Sequence, residues 1–457
     1  MIYKNPIIIL KTIFSLIIVG YGLECEEGEV DLGWGDCNNL LPNNNGCMPS
    51  GCYSVEETNE LNYSYITLGN LPEQIYQLIN LEYIHLSDCG ITGELSSDII
   101  NLSKLITLQI YDNNHSLPDS FGINSNLSGQ LPSEIGSLDS LQFLRLDNNQ
   151  ISGSIPQEFG NMENLRQLSL IGNQLIGELP ISLMSLSNLV SLSLSNNLLS
   201  GEIPIEIENL NKLRFLSLSN NQFIGEIPTE IEDMDSLYYM DLSLNNISGQ
   251  IPVNIGNTSL WFLALHNNQL TGEIPISIGN MSDLVYLYLH DNQLSGTIPH
   301  EMGNLGLNYL TLNNNQFSGP ISNQFCDIYS IDLSGNQFCP PYPNCFIDTE
   351  IGTQDTSNCS LLLQSEYIIS NQYNLSSPYP NPFNPSTTIE FHIPNSDIVT
   401  IKVYDLLGNE IELLLNKYLI NGSHSISWIC NNLPNGIYFI IMNSGVFADK
   451  KKVILLK

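Results

Sequence analysis

The chain of 457 residues carries 47 acidic against 13 basic residues, a formal net charge of -34, and 42% of it is hydrophobic. That apolar fraction excludes a wholly disordered chain, and the charge balance excludes nucleic acid and anionic lipid as partners, since both are held by clustered Lys and Arg. The length allows two or three domains.

At the N-terminus, Lys4 and Lys11 precede an apolar run from Thr12 to Val19, and the small residues Gly20 and Gly22 follow. This is the layout of a secretory signal peptide over residues 1–22. The run is shorter than the ~20 residues of a membrane helix, so no transmembrane span is expected after cleavage. Cysteines then cluster in two sets of four: Cys25, Cys37, Cys47 and Cys52, and far downstream Cys326, Cys339, Cys345 and Cys359. In an exported chain these read as disulfides stapling two caps, residues 23–57 and 326–359, with the pairing within each set open. The spacing lacks the Cys-x2-Cys pairs of zinc sites, and no metal or cofactor is expected. Cys89 and Cys430 are left over as buried free thiols.

Between the caps one theme recurs. "LQFLRLDNNQISGSIPQEFGNMEN" (141–164) returns as "LRQLSLIGNQLIGELPISLMSLSN" (165–188), "LVSLSLSNNLLSGEIPIEIENLNK" (189–212) and "LRFLSLSNNQFIGEIPTEIEDMDS" (213–236). About twelve such units fill residues 58–346. The LxxLxL part alternates as a short strand with one buried face, and stacked units would form one parallel sheet. The Asn at the ninth position (Asn149, Asn173, Asn197, Asn221 and their counterparts) recurs where the chain turns inward, where a buried amide can pair backbone groups the turn leaves open. The later GxIP supplies a Gly for a tight bend and a Pro that restricts the backbone. No unit buries its leucines alone; the stack does, and its two ends need the caps.

This pattern resembles the plant-type leucine-rich repeat with its LxGxIPxxIGxLxxL signature. The resemblance implies a mainly β, right-handed solenoid of about twelve coils, with a parallel concave sheet that binds a protein, peptide or glycan. One unit is irregular: Leu105 to Ser140 spans 36 residues, with the extra residues falling at about 114–125 as a surface insertion. Glutamates of the GxIP segments (Glu94, Glu178, Glu202, Glu226, Glu273) and after the Pro (Glu134, Glu158, Glu206, Glu230, Glu301) form two stripes away from the strand face, where solvation is their expected role.

On the strand face the third, fifth and seventh positions change along the stack. Mid-array they are small (Ser191, Ser193, Ser195, Ser217, Ser219). Toward the C-terminal end Tyr239, Phe262, Tyr286 and Tyr309 follow one another at the third position, Tyr288 occupies the fifth, and His266 and His290 the seventh, flanked by Tyr238 and Trp261. Neighbouring strands lie ~4.8 Å apart, so these nine residues form one patch. Aromatic side chains with polar tips are common ligand anchors, and this patch is the expected ligand-binding site; mutual shielding of the sheet is the alternative. No GxSxG, HExxH, phosphate loop or dinucleotide motif occurs, so no catalytic residue and no enzymatic activity are expected.

After residues 360–376, expected to be a linker, the theme ends. "TTIEFHI", "IVTIKVYDLLG", "HSISWIC", "GIYFIIMNSG" and "KKVILLK" alternate apolar and polar residues between turn residues, the pattern of a small β-sandwich. "YPNPFNPSTTIEF", "VYDLLGNEI" and "NLPNGIYFIIMNSGVFADKKKVILLK" resemble the type A sorting domain of the type IX secretion system over residues 377–457. The resemblance implies a small Ig-like β-sandwich and export through the periplasm and outer membrane of a Gram-negative bacterium by that machinery, with the cargo kept on the surface or released. It also implies a sorting signal at Gly436, Tyr438, Gly445, Lys451, Lys452 and Lys457. Together the segments describe an exported binding protein; an inhibitor of an extracellular hydrolase and a glycan-degrading enzyme are the alternatives.

Overall fold

Twelve short strands lie side by side, in chain order, in one parallel sheet. They are β1 (Glu60–Ser64), β2 (Tyr83–Ser87), β3 (Thr107–Tyr111), β4 (Phe143–Arg145), β5 (Gln167–Ser169) and β6 (Ser191–Ser193). Then come β7 (Phe215–Ser217), β8 (Tyr239–Asp241), β9 (Phe262–Ala264), β10 (Tyr286–Tyr288), β11 (Tyr309–Thr311) and β12 (Ser330–Asp332). The computed structural model describes residues 25, 27–32, 52–65, 68–112, 126–357, 359, 373–430, 433–445 and 447–456. The chain divides into two units between Gln354 and Asp355. The expected signal peptide, Cys37, Cys47, the 114–125 insertion, Lys457 and all but the last residues of the expected linker lie outside the described residues.

The buried partner of each strand is the middle residue. Leu144, Leu168, Leu192, Leu216, Met240, Leu263, Leu287 and Leu310 stand in register and are wholly buried. Most coils close with a five-residue 3-10 turn that begins after the Pro of GxIP, such as Ile205–Asn209 after Pro204, and buries one apolar residue, there Ile207. The core is therefore a single column of side chains running through the unit. No helix among the described residues is long and apolar enough to cross a membrane.

The recurrent Asn holds the coils at fixed spacing. Asn197 accepts the backbone N–H of Leu175 at 3.0 Å and donates to the carbonyls of Leu170 at 2.9 Å and Leu194 at 3.0 Å. Its amide thus bridges its own turn and the preceding coil. The same bonds recur at Asn149, Asn173, Asn221, Asn245, Asn268, Asn292, Asn315 and Asn336. Cys89 takes the place once, its thiol donating to the carbonyls of Tyr63 and Ser87. After the last Asn, Gln354 makes the final rung: its Oε1 accepts from Phe338 N–H at 3.1 Å and its Nε2 donates to Leu333 O at 2.8 Å. The residue before each Asn rung is left-handed, as at Asn148, Asn196, Asn220 and Asn267 with φ between 51 and 59°. Asn tolerates that conformation better than most residues, so the two asparagines of "NN" do different work.

The GxIP glycines have a second function besides the bend. Gly201 sits at φ +80°, and a Cβ there would lie 2.6 Å from Glu178 Cγ. Gly225 and Gly249 receive Glu202 and Glu226 in the same way. The glutamates expected only to solvate the surface also lay their methylene stems across the next coil's glycine.

Both ends are covered. The strands Glu29–Asp31 and Cys52–Ser54 pair antiparallel, a Cys25–Cys52 disulfide ties them, and Val30, Leu32 and Tyr53 join the core. At the other end Cys326 bonds Cys345, and Cys339 and Cys359 are also disulfide-bonded. Cys89 and Cys430 are buried and stand outside these disulfides.

The second unit is a β-sandwich of two antiparallel sheets. One holds β13 (Asn374–Leu375), β14 (Ser386–Ile393) and β17 (Gly422–Ile429). The other holds β15 (Asp397–Tyr404), β16 (Glu410–Leu419), β18 (Gly436–Ser444) and β19 (Phe447–Leu455) in the order β16-β15-β18-β19. Their inner faces meet at Ile389, Phe391, Val399, Ile401, Trp428, Ile440, Met442 and Val453. β13 occupies the end of the segment expected as a linker and pairs with β14. The proline-rich "YPNPFNP" runs beside β19: Asn381 Nδ2 donates to Lys452 O and its Oδ1 accepts from Ile454 N–H, both at 2.9 Å. Phe383, 2% exposed, packs on Trp428 with ring centroids 5.2 Å apart.

Removing one rung tests its share of the stability. Asn197→Ala leaves a buried N–H and buried carbonyls unpaired, at ~1–3 kcal/mol each. The expected result is a fall of roughly 3 kcal/mol in the urea-unfolding free energy, against under ~0.5 kcal/mol for the exposed Gln222→Ala.

Candidate ligand-binding face

Register places the expected site residues in columns. Phe215, Tyr239, Phe262, Tyr286 and Tyr309 are direct neighbours across β7 to β11. Strand separation in a sheet is close to the thickness at which aromatic rings stack, so the column closes on itself. Tyr239 lies on Phe262 with centroids 4.4 Å apart and planes 11° from parallel, and Tyr286 on Tyr309 at 5.1 Å and 11°. A second column forms one position earlier, where Tyr238 and Trp261 stack at 5.6 Å and 3°. Trp261 meets Tyr286 edge-on at 4.6 Å and joins the two columns. The third column is the histidine pair, His266 on His290 at 4.3 Å and 14°. Tyr288 lies between, 5.5 Å from Phe262 and 6.0 Å from His266. All nine expected residues thus form one contact network, each partly exposed.

The structure extends the patch beyond them. Phe215, 40% exposed, touches Tyr238 and Tyr239. Tyr329, 79% exposed, sets its edge on Tyr309 at 5.8 Å. The same columns hold Phe215 at the third position and Tyr329 at the second, a signal legible in the repeat register.

Most ring faces are turned toward one another. What the patch offers outward is ring edges, tyrosine tips and the imidazole edges. Burial, and then the Asp241 carboxylate beside it, pushes Tyr239 up to about 12. Burial likewise raises Tyr288, followed by Tyr286. Burial lowers His266, and the charge on His290 lowers it further; burial also lowers His290. His290 Nδ1 and Thr311 Oγ1 are 2.7 Å apart, while His266 Nδ1 is buried with no partner among the described residues. Among the described residues no group of three or more His, Cys, Asp or Glu is arranged to hold a metal ion.

A furrow of about 820 Å³ lies elsewhere, between successive GxIP corners lined by Val253, Ile276, Pro299, His300 and Ile321 among others. Its walls are the corners that nearly every coil contains, so it follows from the repeat itself. The ring columns depart from the repeat at exposed positions, where the fold does not require aromatics.

Of the residues expected to form the sorting signal, Gly436 opens β18 and Tyr438, in the same strand, is buried, its hydroxyl donating to Pro434 O at 2.8 Å. Gly445 turns β18 into β19 at φ +55°. Lys451 pairs with Asp449 at 3.1 Å, and Lys452 lies exposed in β19.

Comparison with known proteins defines the class. The leucine-rich repeat model matches residues 80–102, 140–162, 188–210, 212–234, 236–258, 259–281, 283–305 and 306–328. The repeats of the first unit form a leucine-rich-repeat solenoid. Residues 377–456 match the secretion system C-terminal sorting domain, so the chain carries both parts, and the tail implies export to the cell surface or extracellular space. Among solved structures it is similar to the plant peptide hormone receptor RGFR1 in complex with RGF2, at 31% identity and a TM-score of 0.54, over 60% of this chain and 47% of that one. It is also similar to the Arabidopsis receptor kinase HAESA in complex with the peptide hormone IDA and the co-receptor SERK1, at 28% identity and a TM-score of 0.54, over 65% of this chain and 53% of that one. The chain therefore spans about half the length of these receptors. No curated protein matches it in sequence.

Titration of the imidazoles checks the electrostatics. The His266 ring protons, followed by NMR, are expected to titrate below the ordinary His range near 6.5. His290→Gln removes a neighbouring positive charge and should move that midpoint upward; an unmoved or lower midpoint contradicts the stacked pair.

Proposed function

We propose that this protein is an exported binding protein that holds a polypeptide ligand against the aromatic columns of β7 to β11. The type IX secretion machinery delivers it to the outer surface of a Gram-negative cell, where it stays attached or is released. The observation that carries the ligand class is the ring-on-ring stacking. Sugars are bound by laying a pyranose against an open aromatic face, and here the faces are spent on each other. Edges and hydroxyl tips suit the mixed apolar and hydrogen-bonding surface of a polypeptide. Similarity to a plant peptide hormone receptor and to a receptor kinase in complex with a peptide hormone supports the same reading.

The matched families are a repeat and a sorting domain, which supports a role in binding. The network of contacts also gives each ring a fixed orientation before ligand arrives, which lowers the ordering cost of association.

Two experiments test the two halves. The full chain, screened against a random peptide library and a panel of neutral and acidic oligosaccharides, is expected to select peptides. Trp261→Ala together with Tyr288→Ala should weaken the selected peptides by roughly 30-fold, the scale of interface hot spots; undiminished binding would make the columns purely structural. Deleting residues 373–457, the whole second β-fold from its first described residue, should leave the repeats in the periplasm. Normal surface display of that truncated form contradicts the sorting role.

A further inference from the structure

The N-terminal half of the same sheet holds one cation. Of the five Lys and Arg between residues 23 and 376, only Arg145 occupies a third, fifth or seventh repeat position. Its guanidinium carbon lies 3.7 Å from the centroid of the Tyr111 ring. Its Nε donates to Asp147 Oδ2 at 2.6 Å. Asp147 is fixed in turn: its side chain is 4% exposed, and its Oδ1 accepts from Ser169 Oγ at 2.6 Å and from Ile171 N–H at 3.0 Å. Tyr111 is held by His85 at 5.5 Å, edge to face. The His85 tautomer follows from its partners. Gln109 Oε1 can only accept, so His85 Nδ1 donates to it at 2.8 Å, and Nε2 is left to accept from the Tyr111 hydroxyl at 3.4 Å.

One edge and one face of the guanidinium are thus committed, and the other edge is not. Nη1 and Nη2 have no hydrogen-bond partner among the described residues, and the side chain is 33% exposed. A planar fork of N–H donors locked at its rear is the arrangement that receives a carboxylate in bidentate fashion. Asp147 does not compete for that edge, since its two oxygens are already occupied from behind. Gln109 and Ser169, the neighbours of Arg145 in register, are neutral and hydrogen-bonding.

We propose that Arg145 is an anchor for a single carboxylate on the polypeptide ligand, a second contact point on the same sheet as the aromatic columns. The proposal rests on the polypeptide reading above. From β4 to β7 is three strand steps and to β10 six, or ~14 to ~29 Å at ~4.8 Å per strand. An extended peptide covers that in about four to nine residues at ~3.3 Å each. The floor between is a run of small hydroxyls, including Ser191, Ser193 and Ser217, that leaves a backbone room to lie. A polyanion such as a uronate chain is disfavoured, because the protein's net charge of -34 repels it along its whole length. One carboxylate met by a locked arginine is not repelled to that extent. A preference for acidic peptides would run against the protein's overall charge, which makes it diagnostic.

The test is a synthetic array of 12-residue peptides overlaid with the full chain. Each peptide is present with its Asp and Glu, with Asn and Gln in their place, and with the C-terminus free or amidated; oligogalacturonate and its methyl ester share the array. Wild type is expected to favour carboxylate forms by ~10-fold, the scale of a charge-assisted hydrogen-bonded pair. Whether the side-chain or the terminal form carries the preference identifies its source. Arg145→Gln with Asp147→Asn removes the guanidinium, keeps the shape of the Asp147 side chain and leaves no buried lone charge. It should lose the preference, binding the carboxylate and neutral forms alike. Peptide binding without acid preference, or a preference unchanged in the double variant, overturns the anchor and leaves the polypeptide reading intact. Binding of oligogalacturonate alone, or of no peptide, overturns both.

Discussion

The buried asparagine amide is the constraint from which the solenoid's geometry follows. Each coil ends its strand by turning inward, and the turn strands one N–H and two or more carbonyls away from water. A side chain with both a donor and an acceptor, on a short stem, meets that need directly. Because each amide bonds its own coil and the preceding one, the rungs set the register between coils as well as closing them. With register fixed, every third, fifth and seventh position falls into a straight column on the sheet.

The aromatic patch is that geometry applied to large side chains. Rings placed one per coil at the third position meet their neighbours, stacked at Tyr239–Phe262 and Tyr286–Tyr309 and tilted at Phe215–Tyr239 and Phe262–Tyr286. The same regularity turns the faces inward and the edges outward, so the fold influences which ligands suit the surface. Asp147 shows what a seventh-position carboxylate does in the same frame. It accepts from the backbone and side chain of the following coil and holds an arginine forward. Asp241 and Asp332, two positions earlier in their own coils, are instead occupied by Ser243 and Ser334 at the seventh, and no arginine stands beside them in register.

Much of this was legible in the sequence because the repeat is a ruler. The period gave the solenoid, the ninth-position Asn gave the rung, and counting along units put nine aromatic and imidazole residues together. Legibility ended where the ruler did. Gln354 as the last rung lies past the final recognisable unit, and its longer side chain does an Asn's work from a different backbone position. Tyr111 and Arg145 are in neighbouring strands, yet 34 positions apart, because the irregular unit lies between them. Phe215 and Tyr329 were readable by the same count, but each stands at the edge of the patch, next to Ser191 and Asn308 in its column. In the second fold, β13 was hidden because two residues with one buried apolar side chain carry no alternation to detect, and Asn381 bonds a strand 71 residues away.

The central claim is that ligand lies on the strand face at the aromatic columns, and hydroxyl-radical footprinting of the full chain with a selected peptide bound tests it most directly. The account predicts protection concentrated at Trp261, Tyr286, Tyr288 and Tyr309, with Val253, Ile276 and His300 of the GxIP furrow unchanged. Protection of the furrow residues with the rings oxidised as in the free protein would contradict it.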